Sequence, residues 1–135
     1  MIPSVEQATR EHRVLLDDDE KDILDSLTAG LRTRGFHVDA FRNPLEALSD
    51  FRPHHYDIII LDVRMPEMSG FDLARKIWQE DGRARICFFS AFDKYENEAL
   101  RSFTGKDYCF IKKPSRLVDL IAHIRRHVDE VAVTR

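Results

Sequence analysis

From residue 12 onward, short apolar runs alternate with stretches in which apolar residues recur at helical spacing. The runs read as buried strands and the periodic stretches as amphipathic helices, so the chain is a succession of βα units. Val14-Leu15-Leu16 is the first strand, and it ends in the acidic run Asp17-Asp18-Asp19-Glu20. Ile23, Leu24, Leu27 and Leu31 predict the first helix, which Gly35 stops. A second strand follows from Phe36 to Phe41. Asn43-Pro44 then opens a second helix, with Asn as N-cap, Pro at the first helical position, and Leu45, Leu48 and Phe51 on one face up to Pro53. The most apolar segment, Tyr56 to Leu61, is a β-branched run that predicts a central strand buried on both faces. It delivers Asp62 at its carboxyl end.

After a turn around Pro66 to Gly70 comes a helix bearing Phe71, Ala74, Ile77 and Trp78, then the strand Ile86 to Phe89, which Ser90 terminates. A charge-rich helix from about Tyr95 to Phe103 precedes the strand Tyr108 to Ile111, which runs into Lys112-Lys113-Pro114. Ser115 is placed to cap the last helix, whose stripe is Leu117, Leu120, Ile121, Ile124 and Val128. Strict βα order implies an α/β fold, a doubly wound parallel sheet of five strands with five helices. Residues 1–11 are expected as a flexible tail, 12–131 as the domain and 132–135 as a short C-terminal tail.

A length of 135 residues suits one domain, and 43% hydrophobic with 33% charged residues is a globular composition. The net charge of -3 supplies no positive excess to neutralise a phosphate backbone, which argues against direct nucleic-acid binding. Residues 1–12 lack the apolar run of a signal peptide, and no stretch approaches the ~20 apolar residues of a membrane span. Cys87 and Cys109 lie in apolar runs without a close-spaced ligand pattern, and read as buried reduced thiols in a cytoplasmic protein. His123 and His127 have a spacing that can bind metal, but beside Arg125 and Arg126 they read as surface residues. His54-His55 reads as a loop at the amino end of the central strand.

Ligands of an open parallel sheet bind outside the carboxyl ends of its strands. Those ends carry Asp17 and Asp18, Asp62, Ser90 and Lys113. Crowded carboxylates repel unless a cation is present, and an all-oxygen ligand set suits Mg²⁺ or a similar hard ion. Carboxylates, an ammonium and a hydroxyl together form a site suited to phosphoryl transfer. No histidine falls where a phosphotransfer histidine would be needed, so the phosphoryl group must come from outside.

The ordered set Asp17-Asp18, Asp62-Val63-Arg64-Met65-Pro66 with Gly70, Ser90-Ala91 and Lys113-Pro114 resembles the receiver domain of two-component response regulators. The resemblance covers about residues 12 to 130 and implies a flavodoxin-like sheet of strand order 2-1-3-4-5, as in single-domain chemotaxis regulators. It also implies that Asp62 is the phosphoacceptor, supplied by a histidine kinase or histidine phosphotransfer protein. Asp18 would bind Mg²⁺ (or Mn²⁺) directly and Asp17 through water, with Asp62 and the backbone carbonyl of Arg64 completing the protein's share. Lys113 would neutralise the phosphoryl group, Ser90 and Phe110 would form the switch, and Lys113-Pro114 would be cis, with Pro66 and Gly70 shaping the loop. Phe110 stands where Tyr is commoner and has no hydroxyl to hold it outward, so an inward rotamer is expected. Phe92 and Arg64 would flank the path of attacking water. Output is expected by contact with a downstream protein through the fourth helix, fifth strand and fifth helix, a face that in many receivers also serves a homodimer and whose other reading is a solvated surface. The chain would act alone or as a piece of a longer regulator, and not as an enzyme beyond its own phosphotransfer and autodephosphorylation. Two alternatives stand beside this: a degenerate receiver acting as a constitutive binding module, and an aspartyl-phosphate hydrolase of the haloacid dehalogenase type. The hydrolase wants a second acid where Arg64 stands.

Overall fold

The computed structural model describes residues 12–134, with side chains described through Val128. The expected N-terminal tail, residues 1–11, lies outside the described residues. The elements are β1 (Arg13–Asp17), α1 (Lys21–Arg32), β2 (His37–Phe41), α2 (Pro44–Asp50), β3 (Ile58–Asp62), α3 (Gly70–Glu80), β4 (Ile86–Ser90), α4 (Asp93–Ser102), β5 (Tyr108–Lys112) and α5 (Leu117–Thr134). The strands form one parallel sheet in the order β2-β1-β3-β4-β5. The order reverses between β1 and β3, and it is there that the connecting loops part to leave a crevice at the carboxyl edge.

Both faces of the sheet are covered. Leu24, Leu27 and Leu31 of α1 and Leu120, Ile121, Ile124 and Val128 of α5 pack on Val14, Leu16, Ile58, Ile60, Cys87 and Phe89. On the other face, α2, α3 and α4 cover Leu15, Ile59, Leu61, Ile86 and Phe88, with Phe71, Trp78 and Phe103 packed around Phe88. All five residues of β3 are buried, which is why this strand reads as an unbroken apolar run instead of an alternating one.

Local chemistry fixes the helix starts. The Asn43 side chain accepts a hydrogen bond from the Leu45 amide at 2.8 Å, with Pro44 in the first turn. The Ser69 hydroxyl accepts from the Asp72 amide at 3.1 Å and opens α3.

Four expectations are corrected. Leu45 is 49% exposed, and α2 buries Ala47 instead, with Leu48 and Phe51 packed beside it. Three-residue steps drift about 60° around a helix, so Leu45 and Phe51 cannot share one face with Leu48. Ser115 does not cap α5: its hydroxyl points to the Arg116 carbonyl, which in turn accepts from the Asp119 and Leu120 amides. Cys87 and Cys109 are joined as a disulfide, because the β4–β5 register sets them directly opposite each other with Cα atoms 4.4 Å apart. The reduced-thiol argument for a cytoplasmic location falls with that pairing. His123 and His127 are both half-buried, not surface residues, and burial, then His127 and Arg126, lower the pKa of His123. Among the described residues, no helix is long and apolar enough to cross a membrane.

Candidate functional site

Four of the strand ends converge at the crevice. Asp17 and Asp62 are the last residues of the neighbouring strands β1 and β3, with Asp17 paired to Leu61. Ser90 ends β4, and its carbonyl accepts the Lys113 amide at 2.8 Å, which ties the loop after β5 to the end of β4. The Lys113–Pro114 bond is cis. A cleft is lined by Asp19, Glu20, Asp62, Arg64, Ser90, Phe92 and Lys113.

Within it, the Lys113 ammonium donates to Asp18 Oδ2 at 3.0 Å and to Asp62 Oδ1 at 3.3 Å, with Glu20 Oε1 also at 3.3 Å. Asp18 and Asp62 are buried, and the ammonium itself has little exposure. Asp18 also accepts the Glu20 amide at 2.9 Å, which bends the chain into the β1–α1 loop. The Ser90 hydroxyl accepts the Phe92 amide at 3.3 Å. Phe110 is half-buried and packs against the core on the α2, α3 and α4 side.

Gly70 is required by contact. A Cβ there would overlap the Asp62 carbonyl oxygen and stand 3.0 Å from its carbonyl carbon, while the Gly70 amide donates to the Val63 carbonyl at 2.9 Å. Pro66 lies in the same loop, where its carbonyl accepts the Met68 amide at 2.8 Å and Glu67 adopts a left-handed φ of 73°.

The electrostatics are those of an anion cluster short of cations. Burial pushes the Asp62 carboxyl up to about 7; Asp18 adds to the rise, Lys113 opposes it, and a hydrogen bond with Asp19 reinforces it. Burial, then Asp18 and Asp62, push Asp17 up to about 7 as well. Asp18 is also raised, by burial, against its bonds from the Glu20 amide and Lys113. Burial pulls Lys113 down, but the surrounding carboxylates outweigh it and hold the ammonium above its ordinary value.

Carboxylate oxygens of Asp18, Asp19 and Asp62 lie within 4.8 Å of one another. Asp17 is fully buried, and neither of its carboxylate oxygens has a hydrogen-bond partner among the described residues. Buried acceptors of this kind are costly when left unpaired, and clustered oxygen donors fit a hard cation. These acidic residues could therefore hold a metal. Asp19 is the addition to the expected set: a run of three aspartates does not disclose which side chains turn toward the strand end.

The response regulator receiver domain model matches residues 14–125. This chain belongs to that family. Receivers are signalling switches of two-component systems, characteristically controlled by phosphorylation. This receiver is 32% identical over 113 residues to the transcriptional regulatory protein PrrA of Mycobacterium tuberculosis, with 84% of this chain and 48% of PrrA covered. It is 30% identical over 113 residues to the response regulator ArlR of Staphylococcus aureus, covering 84% of this chain and 51% of ArlR. The chain thus spans about half the length of the curated relatives it matches. Among solved structures, a CheY-like receiver domain protein from Methanospirillum hungatei aligns with TM-score 0.78 at 23% identity, over 93% of this chain and 99% of that one. The non-phosphorylated HemR receiver domain from Leptospira biflexa aligns with TM-score 0.78 at 26% identity, over 87% and 94%. The flavodoxin-like order 2-1-3-4-5 implied by the motifs is the observed fold.

Proposed function

We propose that this receiver is a cytoplasmic switch of a two-component phosphorelay. Asp62 accepts a phosphoryl group from a histidine kinase or histidine phosphotransfer protein, and a downstream protein reads the response through α4, β5 and α5. The observation that carries this is one half-buried ammonium, Lys113, bonded to both Asp18 and Asp62 in a cleft that also holds the Ser90 hydroxyl.

In the transfer, a carboxylate oxygen of Asp62 attacks phosphorus. The phosphorus–nitrogen bond of the donor breaks, its electron pair returns to the imidazole, and an acyl phosphate forms. Lys113 balances charge on a phosphoryl oxygen and Ser90 donates a hydrogen bond to another. Mg²⁺, or Mn²⁺ in its place, when bound supplies the positive charge that this cluster lacks. Asp18, Asp62 and the Arg64 carbonyl would hold it, Asp17 through water, and Asp19 stands close enough to share in that shell. Phe110 would turn further inward as Ser90 moves, which carries the change to the face of β5 and α4.

PrrA is a transcriptional regulatory protein of which the matched region covers 48%, and the net charge of -3 on this chain disfavours direct DNA contact by the receiver. The receiver itself works by protein contact, as a monomer or through a homodimer on the same face.

Incubation with acetyl phosphate and Mg²⁺ followed by intact-mass measurement tests the proposal. Wild type gains the mass of one phosphoryl group, and Asp62→Asn gains none. An adduct on both proteins, or on neither, contradicts it.

A further inference from the structure

A second group of metal-ligating side chains converges inside the layer between the sheet and α5. Cys87 is fully buried on β4, and Cys109 is its direct partner on β5. A ring nitrogen of His123, from α5, and both sulfurs lie within 4.8 Å of one another. His123 Nε2 is buried and has no hydrogen-bond partner among the described residues. A disulfide sulfur is a poor partner for it, since it carries no proton to donate and accepts only weakly. An imidazole nitrogen left unpaired in the interior is costly, and the two sulfurs close to the ring are groups with which an imidazole forms a soft-metal site.

We infer that this receiver, with the Cys87–Cys109 disulfide reduced, binds a zinc ion through Cys87, Cys109 and His123. Reduction by a dithiol delivers two electrons and two protons to the sulfurs, and the dithiol leaves as its own disulfide. Zinc then displaces the two thiol protons to solvent. Ligand atoms of a tetrahedral zinc stand roughly 3.5–3.8 Å apart, given the usual Zn–S and Zn–N lengths. The sulfurs separate toward that spacing once their bond is broken, and the nitrogen, within 4.8 Å of them, closes by at most about 1.3 Å. Two thiolates neutralise the ion, so the complex adds no net charge to an apolar layer. The fourth position falls to water or to His127, whose ring centroid is 4.5 Å from that of His123. The two candidate sites differ in hardness: oxygen ligands at the acidic cleft select Mg²⁺, and sulfur with imidazole selects zinc.

The test uses the full chain, reduced with a phosphine that is then removed under anaerobic conditions. It is titrated with Co²⁺ in excess Mg²⁺, which occupies the oxygen site. Wild type should develop sulfur-to-cobalt charge-transfer absorption and tetrahedral cobalt bands at one equivalent, both erased by one equivalent of Zn²⁺. Asp62→Asn should behave as wild type. Cys109→Ser should lose most of the charge-transfer band, and His123→Gln should bind Zn²⁺ at least about tenfold more weakly in competition with a chromophoric chelator. Far-UV circular dichroism confirms that each variant is folded. No sulfur-to-cobalt absorption in reduced wild type overturns the inference. So does full-strength binding by folded His123→Gln, or loss of the signal in Asp62→Asn.

Discussion

The Arg64 guanidinium lies 4.9 Å from the centroid of the Phe92 ring. The loops after β3 and β4 therefore meet across the cleft that holds Asp62, and both side chains line it. On the proposed function, water that hydrolyses an acyl phosphate on Asp62 would approach past this cation–aromatic pair. An exposed contact of this type contributes about 0.5–1 kcal/mol, enough to bias the pair toward the closed arrangement.

Removing the ring should open the path. Phe92→Ala is expected to shorten the phosphoryl lifetime several-fold with little loss of stability, since Phe92 is 42% exposed. The decay of the phosphorylated protein, followed by intact mass after acetyl phosphate is removed, checks this. An unchanged or longer lifetime would show that the pair does not shield the site.

Gly70 offers a structural test. Its missing side chain is what lets α3 approach the Asp62 carbonyl, so Gly70→Ala forces backbone against backbone. Overpacking of this kind costs about 1–3 kcal/mol. Urea unfolding should show a lower midpoint, and the displaced Asp62 should be phosphorylated more slowly. Wild-type stability together with wild-type phosphorylation would contradict the contact.

The raised carboxyl pKa values make a signed prediction. Asp17 and Asp62 sit near 7 in the folded protein, against an ordinary value of 3.8. Between those limits the native state holds protons that the unfolded state has released, so these groups favour folding below about 4 and lose that contribution as pH rises through about 7. Metal-free protein should therefore lose stability from these two sites over that interval, by an amount on the order of a few kcal/mol. Asp17→Asn should blunt the loss and be more stable than wild type at pH 8 without metal, while binding Mg²⁺ more weakly. Thermal unfolding across pH, with and without Mg²⁺, measures both. A variant less stable than wild type in metal-free buffer at pH 8 would contradict the burial of an unpaired carboxylate.

Much of the fold and of the site is legible in the sequence because strand ends in a parallel sheet share one edge. Placing Asp62, Ser90 and Lys113 after apolar runs was enough to bring them together, and β-branched residues marked β3 as central. What escaped depended on side-chain direction or on register. Asp19 turns into the cleft by loop geometry that three consecutive aspartates do not encode. Cys87 and Cys109 are separated by 22 positions, and only the β4–β5 pairing makes them neighbours. His123 has Arg125 and Arg126 two and three positions on, yet its ring nitrogen is buried, because it lies three residues, about 60° around the helix, from the buried Leu120.

In the proposed function, the carboxylate that accepts the phosphoryl group is that of Asp62. Borohydride reduces an acyl phosphate to an alcohol, so treatment of the phosphorylated protein followed by peptide mass spectrometry identifies the modified residue. Homoserine is expected at position 62, dependent on Mg²⁺ and on the phosphodonor. Homoserine at Asp17, Asp18 or Asp19, or no reduced residue in a protein that carries phosphate, would contradict it.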